Sequence, residues 1–424
     1  MTLLADLLTT LFERARDAAW GGSEDERTPE ALADALVARG GEAGGFILAR
    51  ALLDRYALLD EDAKRAFFVH LTEAMDVDPG RLTAAAAAYA ATPDKPAYAE
   101  LMEAAEPPRQ ELIRRLNRAP GATKRLVEMR NDLRRIGGRD PSLGRLDLDF
   151  LHLFVSWFNR GFLVLRPIDW DTPASVLEKI IAYEAVHEIS SWEDLRRRLA
   201  PADRRCFAFF HPAMADDPLI FVEVALTRGV PGSIVSLLAE DRKPTPAHKA
   251  DTAVFYSISN CQPGLAGVSF GNLLIKQVAE DLGRALPGLK SYVTLSPIPG
   301  LLDWLKEDGR EADSGEELKA LTAEYLLNAK RADGAPRDPV ARFHLSNGAL
   351  VHAIHADADP SPRGMAQSGG AMVNYLYDLD RIAENQESFA ARGPVAASKP
   401  VRTLAEAGAK LVQTRSPKNG KPAL

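Results

Sequence analysis

An all-helical bundle followed by an α+β domain on a mixed sheet is the fold class this chain predicts, and three observations predict it. Its 424 residues exceed what one hydrophobic core organises, since cores stop growing near ~250–300 residues. Up to about Arg166 the apolar residues recur at helical spacing. Beyond that point they gather into short β-branched and aromatic runs bounded by Pro, Gly and Asp, with helical patterns between them. Two domains are expected, 1–166 and 167–424.

In the first half, Leu4, Leu7, Leu8 and Leu11, and later Phe67, Leu71 and Met75, each mark one face of a helix. Pro29 opens a helix, Gly40-Gly41 closes it, Pro79-Gly80 marks a turn and Pro107-Pro108 starts another helix. The Ala-rich run Thr83 to Ala91 has high helix propensity and small side chains, suited to close helix approach. Basic residues from Arg114 to Arg145, interleaved with Leu and Met, read as a solvated helix face, with subunit contacts or phosphate contacts as the sharper alternatives.

Aromatic density rises through Phe150, Phe154, Trp157 and Phe158, and the junction is placed just beyond it. Strands follow at 206–210, 219–226, 253–258, 292–295, 349–354 and 372–376, separated by helical patterns at 272–286 and 316–327. Ala391 to Pro400 reads as a loose connector and Thr414 to Leu424 as a frayed tail.

Composition narrows the function. Hydrophobic residues at 46% and charged residues at 26% are an ordinary globular balance. A net charge of −7 gives no general attraction to nucleic acid or anionic membranes. Cys206 and Cys261 cannot build a disulfide framework or a CxxC metal site, so a reducing cytoplasm is expected. Asp6, Glu13 and Asp17 interrupt any leader in the first twenty residues, no run of ~18 apolar residues exists to span a bilayer, and the final Lys-Pro-Ala-Leu is no peroxisomal address.

Three units carry chemistry. In the first, a strand (252–258) runs through Gly264, Gly267 and Gly271 into a helix, the arrangement that lets backbone N–H groups and a helix N-terminus cradle a pyrophosphate; a plain structural turn is the bland alternative. It is neither a Walker loop nor GxGxxG. In the second, Tyr292-Val293-Thr294-Leu295-Ser296-Pro297-Ile298-Pro299-Gly300, Ser296 stands just past a strand and two prolines stiffen the exit. A cap on the following helix is the alternative, and without GxSxG a hydrolase elbow is disfavoured. In the third, Asn347-Gly348 reads as a tight hairpin turn, so His344 is expected to project from a strand beside it, where a histidine is more often structural.

Together and in this order the units resemble the malonyl-CoA decarboxylase family. The resemblance rests on Phe255-Tyr256-Ser257-Ile258-Ser259, Gly264-Leu265-Ala266-Gly267-Val268, Leu295-Ser296-Pro297-Ile298-Pro299-Gly300, Phe343-His344-Leu345 with Asn347-Gly348-Ala349, and Met372-Val373-Asn374-Tyr375. It covers about Phe154 to Tyr377, and more weakly the helical half. It implies a helical oligomerisation domain followed by a catalytic domain similar to the GNAT acetyltransferases, and conversion of malonyl-CoA to acetyl-CoA and CO₂ without metal or organic cofactor. It further implies catalytic Ser296, His344 and Tyr375, a CoA-binding loop of Ala266, Gly267, Val268, Ser269, Phe270, Gly271 and Asn272, and a tetramer built as a dimer of dimers. Where some members carry Glu, this chain has Ser269. A GNAT-type acyltransferase is the alternative in another reaction class.

Overall fold

The computed structural model describes residues 26–38, 42–138, 140–268, 271–307 and 309–414. The expected helix through Leu4 to Leu11, the Gly40-Gly41 stop and the tail beyond Thr414 lie outside the described residues. The chain forms two compact units, 1–158 with 263–268, and 159–262 with 269–424. The junction expected at 166/167 falls inside a strand of the second unit, Val164–Ile168.

Among its described residues the first unit has no strand. Its helices are Pro29–Ala38, Glu42–Ala57, Glu61–Glu73, Pro79–Ala91, Lys95–Ala105, Pro108–Asn117, Ala122–Gly137 and Gly144–Trp157. Pro29, Pro79 and Pro108 each begin a helix, where the missing N–H has no partner to lose. Pro79-Gly80 is thus a helix start, capped by Asp78, whose carboxylate accepts from the N–H of Gly80 and of Arg81. Asp60 and Asp94 cap their helices in the same way, each such cap being worth ~1 kcal/mol. Phe67, Phe68, Leu71, Leu112, Leu116, Leu126, Phe150 and Phe154 are buried together with their neighbours.

One expectation for this unit holds and one is modified. In the Ala-rich helix only Ala85 is buried, and its close approach is to the next helix, where Tyr89 meets Tyr98 with ring centroids 5.8 Å apart. The basic stretch is not one solvated face, because Arg130 is 1% exposed. A guanidinium so buried must be bonded to carboxylates or carbonyls, and Arg130 is, as set out below.

The second unit is a single sheet of β1 (Val164–Ile168), β2 (Arg204–Phe210), β3 (Ile220–Thr227), β4 (Thr252–Asn260), β5 (Ser291–Thr294), β6 (Ser296–Pro297), β7 (Leu350–His355) and β8 (Met372–Leu376). The order is β1-β2-β3-β4-β5-β8-β6, with β7 also on β8. β4 and β5 are parallel and the other pairs antiparallel, so the sheet is mixed as expected. β3 is buried along seven consecutive residues, which is why it reads as an apolar run interrupted only by Glu223, whose carboxylate pairs with Arg198, rather than as an alternating one. Helices Ala174–Tyr183 and Trp192–Leu199 cover β1 to β3 through Val176, Leu177, Ile180, Leu195 and Leu199 against Cys206, Ala208 and Phe221. β1 carries Pro167 and is not predicted by the sequence pattern; as an edge strand it tolerates the missing donor.

Two irregularities open the sheet. The β3–β4 register steps from Glu223 opposite Ser257 to Val224 opposite Phe255, leaving Tyr256 as the extra residue of a bulge. β4 and β5 stay paired only from Thr252/Ser291 to Phe255/Thr294, after which the chain moves over to β8 as β6. Beyond Phe255, β4 therefore has no ladder partner on that side among the described residues, and a gap is left between strand ends. Among the described residues no helix is long and apolar enough to cross a membrane.

Candidate active site

The gap is a cleft of about 240 Å³ lined by Val186, by Phe255, Tyr256, Ile258 and Asn260 of β4, by Ser296 and Pro297 of β6, and by Pro339, Val340, Phe343 and His344. Most of this lining is apolar, with Ser296 and His344 as adjacent polar groups. That is the usual composition of a small-molecule site.

Ser296 owes its place to the strand switch. Leu295 still donates its N–H to the Phe255 carbonyl at 3.1 Å, and one residue later Ser296 pairs with Val373 of β8. The serine is thus a strand residue at the divergence, five positions before the helix Leu301–Glu307 and not its cap.

His344 is not on a strand. It lies on the helix Pro339–Ser346, which Asp338 caps by accepting from the Ala341 N–H at 2.7 Å. Asn347-Gly348 ends that helix and does not form a hairpin: Gly348 has φ +84°, and a Cβ there would come 2.5 Å from the Ile382 carbonyl. An Asp-Pro helix start at 338–339, with Ala341, His344 and Leu345 buried on one side, is the signal that finds this helix.

The two side chains meet in a buried chain of hydrogen bonds. Ser296 Oγ donates to Thr294 Oγ1 at 2.8 Å, and the Tyr375 N–H donates to the same oxygen at 3.1 Å. With the serine's proton so directed, the 3.2 Å contact to His344 is closed by Nε2–H donating to Ser296 Oγ. Nδ1 is then the acceptor and takes the Tyr377 hydroxyl proton at 2.8 Å. The network assigns the neutral Nε2–H tautomer. Burial enforces the same state: His344 is 3% exposed, and its pKa is pushed down to about 3.

Tyr375, implied by the family resemblance, sits beside the pair in a different way. Its ring stacks on the imidazole, centroids 4.5 Å apart and planes 24° apart, while its buried hydroxyl has no hydrogen-bond partner among the described residues. Asn374 braces the strand behind, donating to the carbonyls of Thr294 at 2.7 Å and of Pro231 at 3.2 Å. Tyr377 and Thr294, which complete the chain, are not singled out by any sequence motif. Tyr377→Phe is expected to lower kcat about tenfold to a hundredfold with little change in KM. The lost bond to a buried ring is worth roughly 1–3 kcal/mol, and it fixes the tautomer without touching ligand. Steady-state kinetics of the folded variant decide this, and an unaltered kcat would remove Tyr377 from the machinery.

The cap of the His344 helix titrates. Asp338 is 1% exposed, and burial, partly offset by backbone N–H donors, pushes its pKa up to about 6. A carboxyl whose folded pKa lies above its unfolded value binds its proton more tightly in the fold. Its ionisation therefore removes stability as pH rises from about 4 to about 6, and the penalty stays in full above that. Asn caps helices as well as Asp, so Asp338→Asn is expected to raise the melting temperature at pH 8, by up to about 3 kcal/mol of stability at 1.36 kcal/mol per unit. The gain should fade toward pH 4; melting curves at both ends of that range would expose a gain without pH dependence.

The loop assigned to CoA by resemblance divides. Ala266, Gly267 and Val268 follow the turn Pro263–Leu265 in the helical unit, with Gly267 at φ +88°. Ser269 and Phe270 lie outside the described residues, and Gly271 and Asn272 begin the helix Gly271–Ala285 of the second unit. The strand, glycine turn and helix expected here are all present.

The malonyl-CoA decarboxylase N-terminal domain family matches residues 75–158, and the malonyl-CoA decarboxylase C-terminal domain family matches 161–317 and 311–415. Mitochondrial malonyl-CoA decarboxylase of Anser anser anser is 36% identical over 344 residues, 68% of either chain. That of Rattus norvegicus is 31% identical over 411 residues, 82% of this chain and 83% of its own. The crystal structure of malonyl-CoA decarboxylase from Rhodopseudomonas palustris is 50% identical with a TM-score of 0.83, covering 90% of this chain and all (100%) of that one. Its counterpart from Agrobacterium vitis is 48% identical with a TM-score of 0.84, covering 89% and 99%. Matched in both halves and over most of its length, this chain belongs to the malonyl-CoA decarboxylase family of enzymes.

Proposed function

We propose that this enzyme removes CO₂ from malonyl-CoA at the cleft between β4 and β6, through an enolate stabilised and protonated with help from Ser296 and His344. The observation that carries the proposal is the buried Ser296–His344 hydrogen bond at the point where β4 and β5 diverge. Breaking the bond from the α-carbon to the carboxylate leaves its electron pair on the thioester as an enolate, and one proton must then be added at the α-carbon. A site for this reaction needs donors aimed at the developing oxyanion and a group through which the proton is delivered. Nε2–H of a neutral imidazole is such a donor, and the Ser296 hydroxyl, released from Thr294, is a second for the carboxylate or carbonyl. Tyr375 would hold the ring in place by stacking.

The loop from Ala266 to Asn272 would receive the CoA pyrophosphate, supported by its glycines and by the helix start that follows. Residues 1–166 would serve oligomerisation, as a homotetramer of two dimers, and 167–424 catalysis. Exposed Tyr98, Met102, Leu148 and Val155 are apolar surface available to such contacts. The buried free thiols Cys206 and Cys261 are consistent with a reducing cytoplasm.

Mass spectrometry of the products after incubation with malonyl-CoA tests the reading. Stoichiometric acetyl-CoA is expected; unchanged substrate would overturn it, and transfer of the acyl group to an added amine would favour the acyltransferase.

A further inference from the structure

Arg130, in the helix Ala122–Gly137, spends its buried charge on a segment that lies more than a hundred positions later in sequence. One side of its guanidinium is held by Asp147, with Nε donating to Oδ1 at 2.9 Å and Nη2 to Oδ2 at 3.3 Å. On the other side Nη1 donates to the carbonyls of Gly264 and Ala266, both at 2.9 Å. A fork so bonded holds two planar groups in fixed orientation, which a point charge cannot do.

The segment is seated as closely as backbone allows. A Cβ at Gly264 would stand 2.0 Å from the Val127 carbonyl oxygen, so only glycine fits against that helix. Gly267, at φ +88°, turns the chain over Leu151. In a trans peptide the N–H points opposite to the C=O. Anchoring the Ala266 carbonyl therefore aims the Gly267 N–H away from Arg130.

We propose that Arg130, braced by Asp147, is a positioning residue for coenzyme A: it sets the backbone of residues 264–268, where the loop that takes the nucleotide end of the thioester begins. The proposal rests on the reading that 266–272 is the CoA loop. Arg130's bonds named here reach neither Ser296 nor His344, so the effect belongs to recognition of the nucleotide and not to the chemical step.

The test compares malonyl-CoA with malonyl-N-acetylcysteamine, a thioester that keeps the reacting group and lacks the nucleotide. Arg130→Lys keeps the charge and loses the fork; Asp147→Asn weakens the brace from a position 29% exposed, where folding is spared. In both, kcat/KM for malonyl-CoA should fall about tenfold, as expected for loss of a charge-assisted hydrogen bond. KM should carry the fall, and kcat/KM for the truncated thioester should stay within twofold. Equal losses on the two substrates mark a merely structural arginine and overturn the proposal, as does no loss on either. A wild type that decarboxylates both thioesters equally well overturns the CoA-loop reading, and this inference with it; a wild type that decarboxylates neither overturns the proposed function itself.

Discussion

His344→Ala is expected to reduce turnover of malonyl-CoA by 10² to 10⁴, about the range a positioned proton-transfer group supplies, while substrate binding survives. The imidazole is pinned on both nitrogens, by Tyr377 at Nδ1 and Ser296 at Nε2, and on one face by Tyr375. Nothing else named in the cleft lining has a ring N–H to offer. The protonation state makes a second, independent check. Because burial pushes the histidine down to about 3, it is neutral across the working range, and the kcat profile should lack a histidine limb near pH 6.5. The same shift has a sign for stability. A histidine with its folded pKa below its unfolded value takes up its proton only on unfolding, so stability is present above about 6.5 and is lost as pH falls toward 3. His344→Ala removes that acid sensitivity along with activity. His344→Gln, which can still donate to Ser296 but cannot relay a proton, should fall between wild type and alanine. Product analysis by mass spectrometry, with melting curves to show the variants folded, reads all of this; near-normal turnover in His344→Ala would falsify the assignment.

How far the sequence discloses this site depends on how local each cause is. The strands that frame the cleft are legible because a strand buried on both faces must be almost wholly apolar, as Ile220 to Leu226 is apart from Glu223, which pairs with Arg198. Ser296 is legible because a strand followed by Pro-Ile-Pro-Gly has few ways to leave. The His344 helix is not, because its eight residues give barely two turns of periodicity and the Asn-Gly that ends it is also the strongest hairpin signal. Gly348 takes the positive φ that a hairpin turn would also ask of it, but Asn347 stays at φ −88° as the helix cap, and the packing of Gly348 on Ile382 goes with the helix end. Tyr377 escapes detection since its role depends on a partner 33 positions away, brought close by the pairing of β8. Arg130 is hidden for the opposite reason: it stands among arginines that mostly meet exposed acids, such as Arg125 on Asp54 and Arg135 on Glu61. Burial distinguishes it, and two of the groups that bond it, the carbonyls of Gly264 and Ala266, come from residues that the linear reading assigns to the other half of the chain.

Ser296→Ala is expected to lower kcat by about 10² to 10³, the loss measured when one donor to a developing oxyanion is deleted, roughly 3–4 kcal/mol. Two features separate this from a packing defect. The serine is 6% exposed, and its removal deletes one oxygen without leaving a cavity large enough to collapse the strand pair with Val373. Thr294 Oγ1 keeps the Tyr375 N–H, so the only orphan created is Nε2–H of His344, a cost of about 1–3 kcal/mol in stability. The pair should also behave as a unit. If Nε2–H and the hydroxyl serve one enolate, the double variant Ser296→Ala/His344→Ala will be scarcely worse than His344→Ala alone, since groups acting in one step are grossly non-additive. Additive losses would mean that the two residues act at different steps, with Ser296 holding the substrate carboxylate and His344 alone meeting the enolate. Kinetics of the two single variants and the double, taken at one pH with folding checked, distinguish these cases, and an unimpaired Ser296→Ala would leave the serine a structural bridge between Thr294 and His344.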